Sequence, residues 1–211
     1  MTAKEKMFLE SKAWALEKLS LDENYFHRLA AVSNPEIFWI GSLDNLVPVR
    51  ELISSGPGDL LVYRNIGTQV REDDASLMAT LEMAVQVYDV KHIIVCGYSH
   101  CTGINEVLSE NHQTPHLKKW LEELREIYEV NFEKFRGLDL DQKKQLLSEL
   151  NIKAQILKLS QFEVIQKSWE KSDHPILLGW YFDLISGGLK EIFTMEENHR
   201  VEQVATLTQN I

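Results

Sequence analysis

The sequence lacks the features that mark membrane, secreted and nucleic-acid-binding proteins. No run approaches the roughly 18 apolar residues that a membrane helix needs, and residues 1–10 contain no apolar core of signal-peptide length. Lys and Arg number 22 against 32 Asp and Glu, a net charge of −10, and the cations do not gather into a patch that would bind nucleic acid or an anionic membrane. Internal repeats and low-complexity tracts are also absent. We therefore expect a cytoplasmic protein with no membrane span and no nucleic-acid partner.

Cysteine is scarce as well, since Cys96 and Cys101 are the only two. They lie five residues apart, one in a predicted strand and the other beyond the turn that follows it. In a reducing compartment, two such cysteines are not expected to form a structural disulfide. We expect Cys96 to pack as an inert core residue, and we regard Cys101 as the better candidate for chemistry.

The sequence does contain two apolar runs, residues 38–41 and 93–97, each of which ends at a glycine. Each run is typical of a buried strand, and residues with polar or reactive groups follow it. If the two strands are parallel neighbours, their carboxyl ends face one crevice, which is where open α/β sheets bind ligands. The side chains predicted to meet there are Ser42, Asp44, Tyr98 and Cys101.

The remaining pattern predicts one α/β domain covering residues 1–211. Strands are predicted at 36–41, 60–63 and 91–97, and as a hairpin of 176–183 with 189–193. Helices are predicted as a pair over 3–31, after a cap at Asp73 or Asp74, from near Gly103, as a surface hairpin over 117–135, and over 138–172. Residues 1–33 would form a helical arm, and 195–211 a tail that is loosely ordered or lies on a partner subunit.

In their residues and in their order along the chain, seven segments resemble the β-class carbonic anhydrases. These segments are spread over nearly the whole sequence: residues 12–15, 38–41, 57–60, 63–65, 93–97, 151–155 and 179–183. The resemblance implies a central four-strand parallel sheet with an antiparallel edge strand, flanked by helices. It also implies a dimer or larger homo-oligomer whose amino-terminal helices embrace the neighbour, and the zinc-dependent hydration of carbon dioxide to bicarbonate.

The resemblance assigns the zinc ligands of the family to particular positions. In the family, zinc is held by a cysteine two residues before an aspartate and by a histidine three residues before a second cysteine. Ser42 stands at the first cysteine position and Tyr98 at the histidine position, whereas Cys101 keeps its ligand position. Asp44 keeps the carboxylate, but the arginine that pairs with it in the family is Leu46 here. Since catalytic zinc usually needs three protein ligands and an open position for water, we expect zinc to be absent or weakly bound.

Two arrangements of this pocket remain open from the sequence. In one, Ser42 and Tyr98 hydrogen-bond to each other or to Asp44 and fill the volume of the metal. In the other, His100 joins Asp44 and Cys101 in a rebuilt zinc site, although His100 is otherwise typical of a solvent-facing turn residue. Asp44 itself is either partly protonated through burial or ionised because it accepts backbone amides.

A thiol function for Cys101 is a further alternative. The residue is predicted to lie at a helix amino terminus, where backbone amides and the helix dipole lower a thiol pKa. With His100 beside it and Asp44 across the crevice, nucleophilic catalysis is one hypothesis. The competing interpretation is a small residue left in a half-apolar pocket.

Trp39 and Arg64 point to a separate anion site. They match positions that, in some members of the family, hold a non-catalytic bicarbonate together with a tyrosine, and that tyrosine is Phe182 here. Two interpretations of Arg64 follow, one as a ligand for a small anion such as bicarbonate and the other as a structural ion-pair partner.

The departures from the family pattern lie at the zinc-ligand positions and their neighbours, whereas the segments typical of the scaffold are retained. We therefore expect a relative without carbon dioxide hydration activity that acts as a binding, regulatory or partner subunit. Such a subunit would form a homo-oligomer, or a hetero-oligomer with an active carbonic anhydrase. The alternatives are an active carbonic anhydrase with a rebuilt zinc site, and another activity that depends on Cys101.

Overall fold

The computed structural model describes residues 1–31, 34–109 and 114–197. The elements of this part of the chain are α1 (Ala3–Leu21), α2 (Tyr25–Ala31), β1 (Ile37–Ser42), α3 (Val49–Leu52), β2 (Leu60–Asn65), α4 (Ala75–Glu82), β3 (His92–Tyr98), α5 (Thr102–Ser109), α6 (Pro115–Trp120), α7 (Glu122–Val130), α8 (Leu140–Gln161), α9 (Glu163–Trp169), β4 (Ile176–Asp183) and β5 (Gly188–Met195). A π-helical segment, Met83–Val87, continues α4, and a 3₁₀ turn, Phe132–Phe135, follows α7.

The five strands form one sheet in the order β2-β1-β3-β4-β5. The first four strands of this order are parallel, and β5 pairs antiparallel with β4. The predicted fold, a four-strand parallel sheet with an antiparallel edge, is thereby confirmed. β1 and β3 pair so that Gly41 lies opposite Cys96, and this register brings the carboxyl ends of the two strands side by side.

Two hydrophobic layers cover the two faces of the sheet. Because successive side chains of a strand point to opposite faces, Phe38 and Ile40 lie in one layer with α4 and α9, whereas Trp39 lies in the other with α5 and α7. β3 follows the same rule, with Val95 in the first layer and Ile94 in the second. Burial of β3 on both faces explains why its sequence is a continuous apolar run rather than an alternating pattern.

The helix predicted over 138–172 is divided in the structure. α8 ends at Gln161, and Phe162 adopts an extended backbone, with φ −67° and ψ 136°, before α9 begins. The Phe162 side chain packs in the first hydrophobic layer, so burial of this ring accompanies a break that helical periodicity alone does not show. Of the two caps predicted for α4, the structure uses Asp74, whose carboxylate accepts backbone N–H groups of the first turn.

The two ends of the described chain differ in burial. α1 has no buried side chain, and large apolar residues such as Phe8 and Leu16 are exposed. β5, by contrast, extends to Met195, which is fully buried and so belongs to the sheet rather than to the predicted tail. Residues 198–211 of that tail and residues 32–33 of the predicted arm lie outside the described residues. Within the described ranges, no helix combines the length and the apolar character needed to cross a membrane.

Candidate functional site

The carboxyl ends of β1 and β3 enclose a small group of polar side chains. Ser42 is the last residue of β1, and Cys101 lies just before α5, three residues beyond the end of β3. Ser42 is 1% exposed, and its Oγ lies 3.3 Å from Sγ of Cys101. The sheet register thus brings together two residues that are 59 positions apart in the chain.

Asp44 connects the two strand ends. Its carboxylate accepts a hydrogen bond from the Ser42 hydroxyl, one from the Thr102 backbone amide at 2.6 Å and one from the Thr102 side chain. Burial raises the pKa of Asp44, but these donors together outweigh burial and hold the pKa below its usual range. Asp44 is therefore ionised at neutral pH, and it lies at the amino terminus of α5, where the helix dipole favours a negative charge.

The Cys101 thiol has the opposite tendency. Burial raises the pKa of Cys101, and the nearby negative charge of Asp44 raises it further. Since the single hydroxyl hydrogen of Ser42 is donated to Asp44, the S–H group is the donor in the contact between Cys101 and Ser42. The lowered thiol pKa that the nucleophile hypothesis requires is therefore wrong, because burial of Cys101 outweighs the hydrogen bonds with Ser42 and with the backbone of Gly103 and Ile104, which lower the pKa.

The Tyr98 ring fills the core beside this polar group. It is 2% exposed and stacks on Phe182, with ring centroids 6.4 Å apart and ring planes 8° from parallel. Burial raises the pKa of Tyr98, although a hydrogen bond with the Leu46 backbone opposes the shift. Tyr98 is therefore a neutral phenol at neutral pH, positioned by aromatic packing.

His100 lies on the solvent side of the turn between β3 and α5. The residue is exposed, its Nδ1 lies 2.9 Å from Oγ of Ser99, and its ring centroid is 6.0 Å from that of Tyr98. The polar contacts that join Ser42, Asp44 and Cys101 are made without it. This placement corresponds to the solvent-facing turn residue that was one of the two interpretations from the sequence.

Trp39 and Arg64 occupy different environments. Trp39 is fully buried, and its indole meets the Trp180 ring edge to face with centroids 6.0 Å apart. Arg64 donates from Nη1 to the Asn45 carbonyl at 2.9 Å and from Nη2 to the Val47 carbonyl at 3.5 Å. The guanidinium thus binds main-chain carbonyls of the loop after β1, where the sequence analysis offered a carboxylate or a small anion as its partner.

Two residues that were not predicted as site residues shape the site. Thr102 supplies the amide and hydroxyl that Asp44 accepts, and its place at the predicted start of a helix was the available signal. Gly103 lies against the loop that follows β2, because a Cβ atom at this position would come within 2.7 Å of the Gly67 Cα. A glycine therefore permits the close approach of α5 to that loop. No pattern in the sequence indicates that Gly103 packs against Gly67.

Comparison with known proteins agrees with this fold. A profile of the carbonic anhydrase family matches residues 37–189. The carbonic anhydrase of Emericella nidulans is 33% identical over 89% of this chain and 82% of that protein. The carbonic anhydrase of Candida albicans is 29% identical over an alignment that covers 75% of this chain and 57% of that relative. A structure from a study of two tetrameric β-carbonic anhydrases of Sordaria macrospora has a TM-score of 0.85 at 30% identity, covering 90% of this chain and 98% of that one.

Proposed function

The chain belongs to the β-class carbonic anhydrase family, and from this premise we propose that it does not hydrate carbon dioxide and acts as a binding, regulatory or partner subunit. One observation carries the proposal, namely the series of hydrogen bonds from Cys101 to Ser42, from Ser42 to Asp44 and from Thr102 to Asp44. The polar groups at this site therefore use one another as hydrogen-bond partners.

The chemistry of the donor groups supports the same proposal. Zinc sites use thiolate, imidazole and carboxylate donors. The three ligand positions implied by the family resemblance hold the alcohol of Ser42, the phenol of Tyr98 and the thiol of Cys101, and burial raises the pKa of both Tyr98 and Cys101. No group of three His, Cys, Asp or Glu side chains among the described residues is arranged to hold a metal ion. These residues therefore do not fit zinc.

The exposed arm supports the partner-subunit part of the proposal. α1 is 19 residues long and exposes apolar side chains, Phe8, Leu16 and Leu21 among them. In an oligomer, a neighbouring subunit would bury exposed apolar side chains of this kind. The related Sordaria macrospora proteins are described as tetrameric. The proposal therefore includes a homo-oligomer, or a hetero-oligomer with an active carbonic anhydrase, in the cytoplasm.

Bicarbonate is the small anion proposed as a ligand. A guanidinium carries five N–H donors, and two of those of Arg64 point to the carbonyls of Asn45 and Val47. Equilibrium binding of bicarbonate to the chain and to an Arg64→Met variant tests this part. Binding that is lost in the variant supports it, and equal binding by both proteins contradicts it.

A direct test of the main proposal measures metal content and activity together. The chain is purified without chelators, zinc per chain is determined, and carbon dioxide hydration is followed by stopped flow. We expect zinc well below one ion per chain and hydration no faster than the buffer control. Stoichiometric zinc with rapid hydration would overturn the proposal and establish the alternative of an active enzyme with a rebuilt site.

A reciprocal test restores the missing groups. We expect the combined Ser42→Cys, Leu46→Arg and Tyr98→His variant to bind about one zinc ion per chain, because it supplies three ligands in the family pattern. Leu46→Arg alone is the matched control, since it adds no ligand and should bind no more zinc than the unmodified chain. A folded triple variant without zinc would show that the pocket has also changed shape.

The Cys101-dependent alternative is tested by thiol labelling. Because burial raises the Cys101 pKa, we expect the native protein to resist alkylation at neutral pH and to react only after denaturation. Rapid alkylation of the native chain at Cys101, absent in a Cys101→Ser variant, would favour a nucleophilic role.

A further inference from the structure

Four ionisable side chains meet at the amino-terminal end of the sheet, opposite the site described above. Asp89 and Lys91 lie in the turn before β3, and Asp173 and His174 lie in the segment before β4. Because β3 and β4 are parallel neighbours, their starts bring these two segments together although Asp89 and His174 are 85 positions apart. Neither segment contributes to the contacts of Ser42, Asp44 and Cys101.

His174 is the centre of this cluster. Its Nε2 lies 2.7 Å from Oδ1 of Asp89 and 2.8 Å from Nζ of Lys91, and its Nδ1 lies 3.0 Å from Oδ1 of Asp173. Lys91 also donates to Oδ2 of Asp89 at 2.7 Å. The imidazole is therefore faced by two carboxylates and one ammonium group. The His174 side chain is 18% exposed, whereas those of Asp89 and Asp173 are mostly in solvent.

The geometry supports two protonation states with different hydrogen bonds. A protonated imidazole donates from Nε2 to Asp89 and from Nδ1 to Asp173. A neutral imidazole that keeps its hydrogen on Nδ1 accepts at Nε2, so its partner there changes from Asp89 to Lys91. The bond to Asp173 persists in both states. Protonation therefore controls whether Nε2 of His174 forms its hydrogen bond with Asp89 or with Lys91.

The electrostatic surroundings place this exchange above the pH at which a free histidine titrates. The hydrogen bond with Asp173 is the largest influence and raises the pKa of His174, partial burial lowers it, Asp89 raises it again, and the charge of Lys91 lowers it. The net direction is upward from 6.5.

The backbone of the same segment is tied to the start of β4. The His174 carbonyl accepts hydrogen bonds from the hydroxyls of Ser168 at 2.9 Å and Ser172 at 3.0 Å. One residue beyond the adjacent proline, the Ile176 amide donates to the Lys91 carbonyl at 2.9 Å and joins the two segments. A change in the partner of the imidazole therefore acts next to the first hydrogen bond between β3 and β4.

We propose that Asp89, Lys91, Asp173 and His174 form a proton-dependent clasp between the starts of β3 and β4. The clasp is closed when protonated His174 donates to Asp89 across the two segments, and it is weaker when neutral His174 accepts from Lys91. Since the folded-state pKa is raised, the stabilising contribution is fully present below the unfolded-state pKa and is lost as pH rises through the folded-state pKa.

An NMR titration of the histidine ring tests the electrostatic part. The His174 signal is identified by its absence in a His174→Gln variant. We expect its pKa to lie above 6.5 in the unmodified chain, to move down in Asp89→Asn and to move up in Lys91→Met. Shifts of opposite sign in these two variants are specific to the cluster. A pKa at or below 6.5, or one that neither variant moves, would overturn the proposal.

Amide hydrogen exchange tests the mechanical part. From about pH 5 to about pH 8, we expect the protection factor of the Ile176 amide to fall in the unmodified chain and to stay flat in His174→Gln. His116→Gln is the matched control, because His116 is an exposed histidine on α6, and its profile should follow that of the unmodified chain. A pH-independent Ile176 protection factor in the unmodified chain contradicts the clasp. If His174→Gln does not fold, Asp89→Asn provides the flat profile instead.

Discussion

The two ends of the sheet hold ionised carboxylates in different ways. At the carboxyl end, Asp44 is half-buried and is held by neutral hydroxyl and amide donors. At the amino end, Asp89 is 64% exposed and is held by Lys91 and His174. The first environment lowers the pKa of Asp44 and raises that of Cys101, so neither group titrates near neutral pH. Burial with neutral partners therefore gives a static site, whereas exposed charges around a histidine give one that responds to pH.

The largest expected effect concerns the buried volume of the carboxyl end. Tyr98→Ala removes a ring that is 2% exposed, and we expect it to lower the free energy of unfolding by about 3–5 kcal/mol. Tyr98→Phe keeps the ring and removes only the hydroxyl, so its loss should be about 1 kcal/mol. Urea unfolding at pH 7 measures both values. Equal losses would mean that the hydroxyl, rather than packing, holds this end together.

The next effect concerns the carboxylate of the static site. Asp44→Asn weakens the bonds with Ser42 and Thr102 and should cost about 1–3 kcal/mol at pH 7. Because the folded-state pKa of Asp44 is lowered, its contribution is present above the unfolded-state pKa and is lost as pH falls through the folded-state pKa. Urea unfolding at descending pH should therefore show the difference between variant and unmodified chain shrinking in acid. A difference that grows in acid contradicts the assignment of an ionised Asp44.

A smaller effect distinguishes the two ends by their response to salt. Asp89→Asn should lower the free energy of unfolding by less than about 1 kcal/mol, because solvent screens its exposed ion pairs. In 1 M salt, where the Debye length is about 3 Å, this loss should disappear while that of Asp44→Asn persists. Unfolding curves at low and high salt make the comparison. Equal salt dependence at both ends would show that Asp44 is also held chiefly by charge.

The smallest effect is expected at His100. This exposed side chain contacts Ser99, and His100→Gln should change the free energy of unfolding by less than about 0.5 kcal/mol. Zinc content should also be unchanged. A loss of bound zinc in this variant would establish the rebuilt site in which His100 replaces the missing ligand.

The sequence was most informative where strands determine the arrangement. The apolar runs of β1 and β3, and the glycines that end them, predicted that Ser42 and Cys101 face one crevice on the condition that the two strands are parallel neighbours, because parallel strands align their carboxyl ends. The hairpin over β4 and β5 followed from the turn between two apolar runs. These features depend on short-range periodicity, which a single sequence contains.

The parts that were missed depend on tertiary contacts. Burial raises the Cys101 pKa, against one of the two hypotheses for that residue, and burial of Phe162 accompanies the division of the predicted long helix. Arg64 binds carbonyls of a loop 17 to 19 residues away. The cluster around His174 joins segments that no motif connects. In each case the deciding partner is distant in the chain, and residue spacing carries no information about it.

The hydrogen bonds from Arg64 to the loop after β1 bear on which position of that loop tolerates substitution. The loop is shaped by the Asn45 and Val47 carbonyls and by the Asn45 side chain, which accepts the Val47 amide at 3.0 Å. The Leu46 side chain takes no part in these bonds and is 77% exposed. Position 46 therefore accepts many side chains, and a substitution there should change the free energy of unfolding little. The fold of the single chain therefore places little constraint on the identity of residue 46.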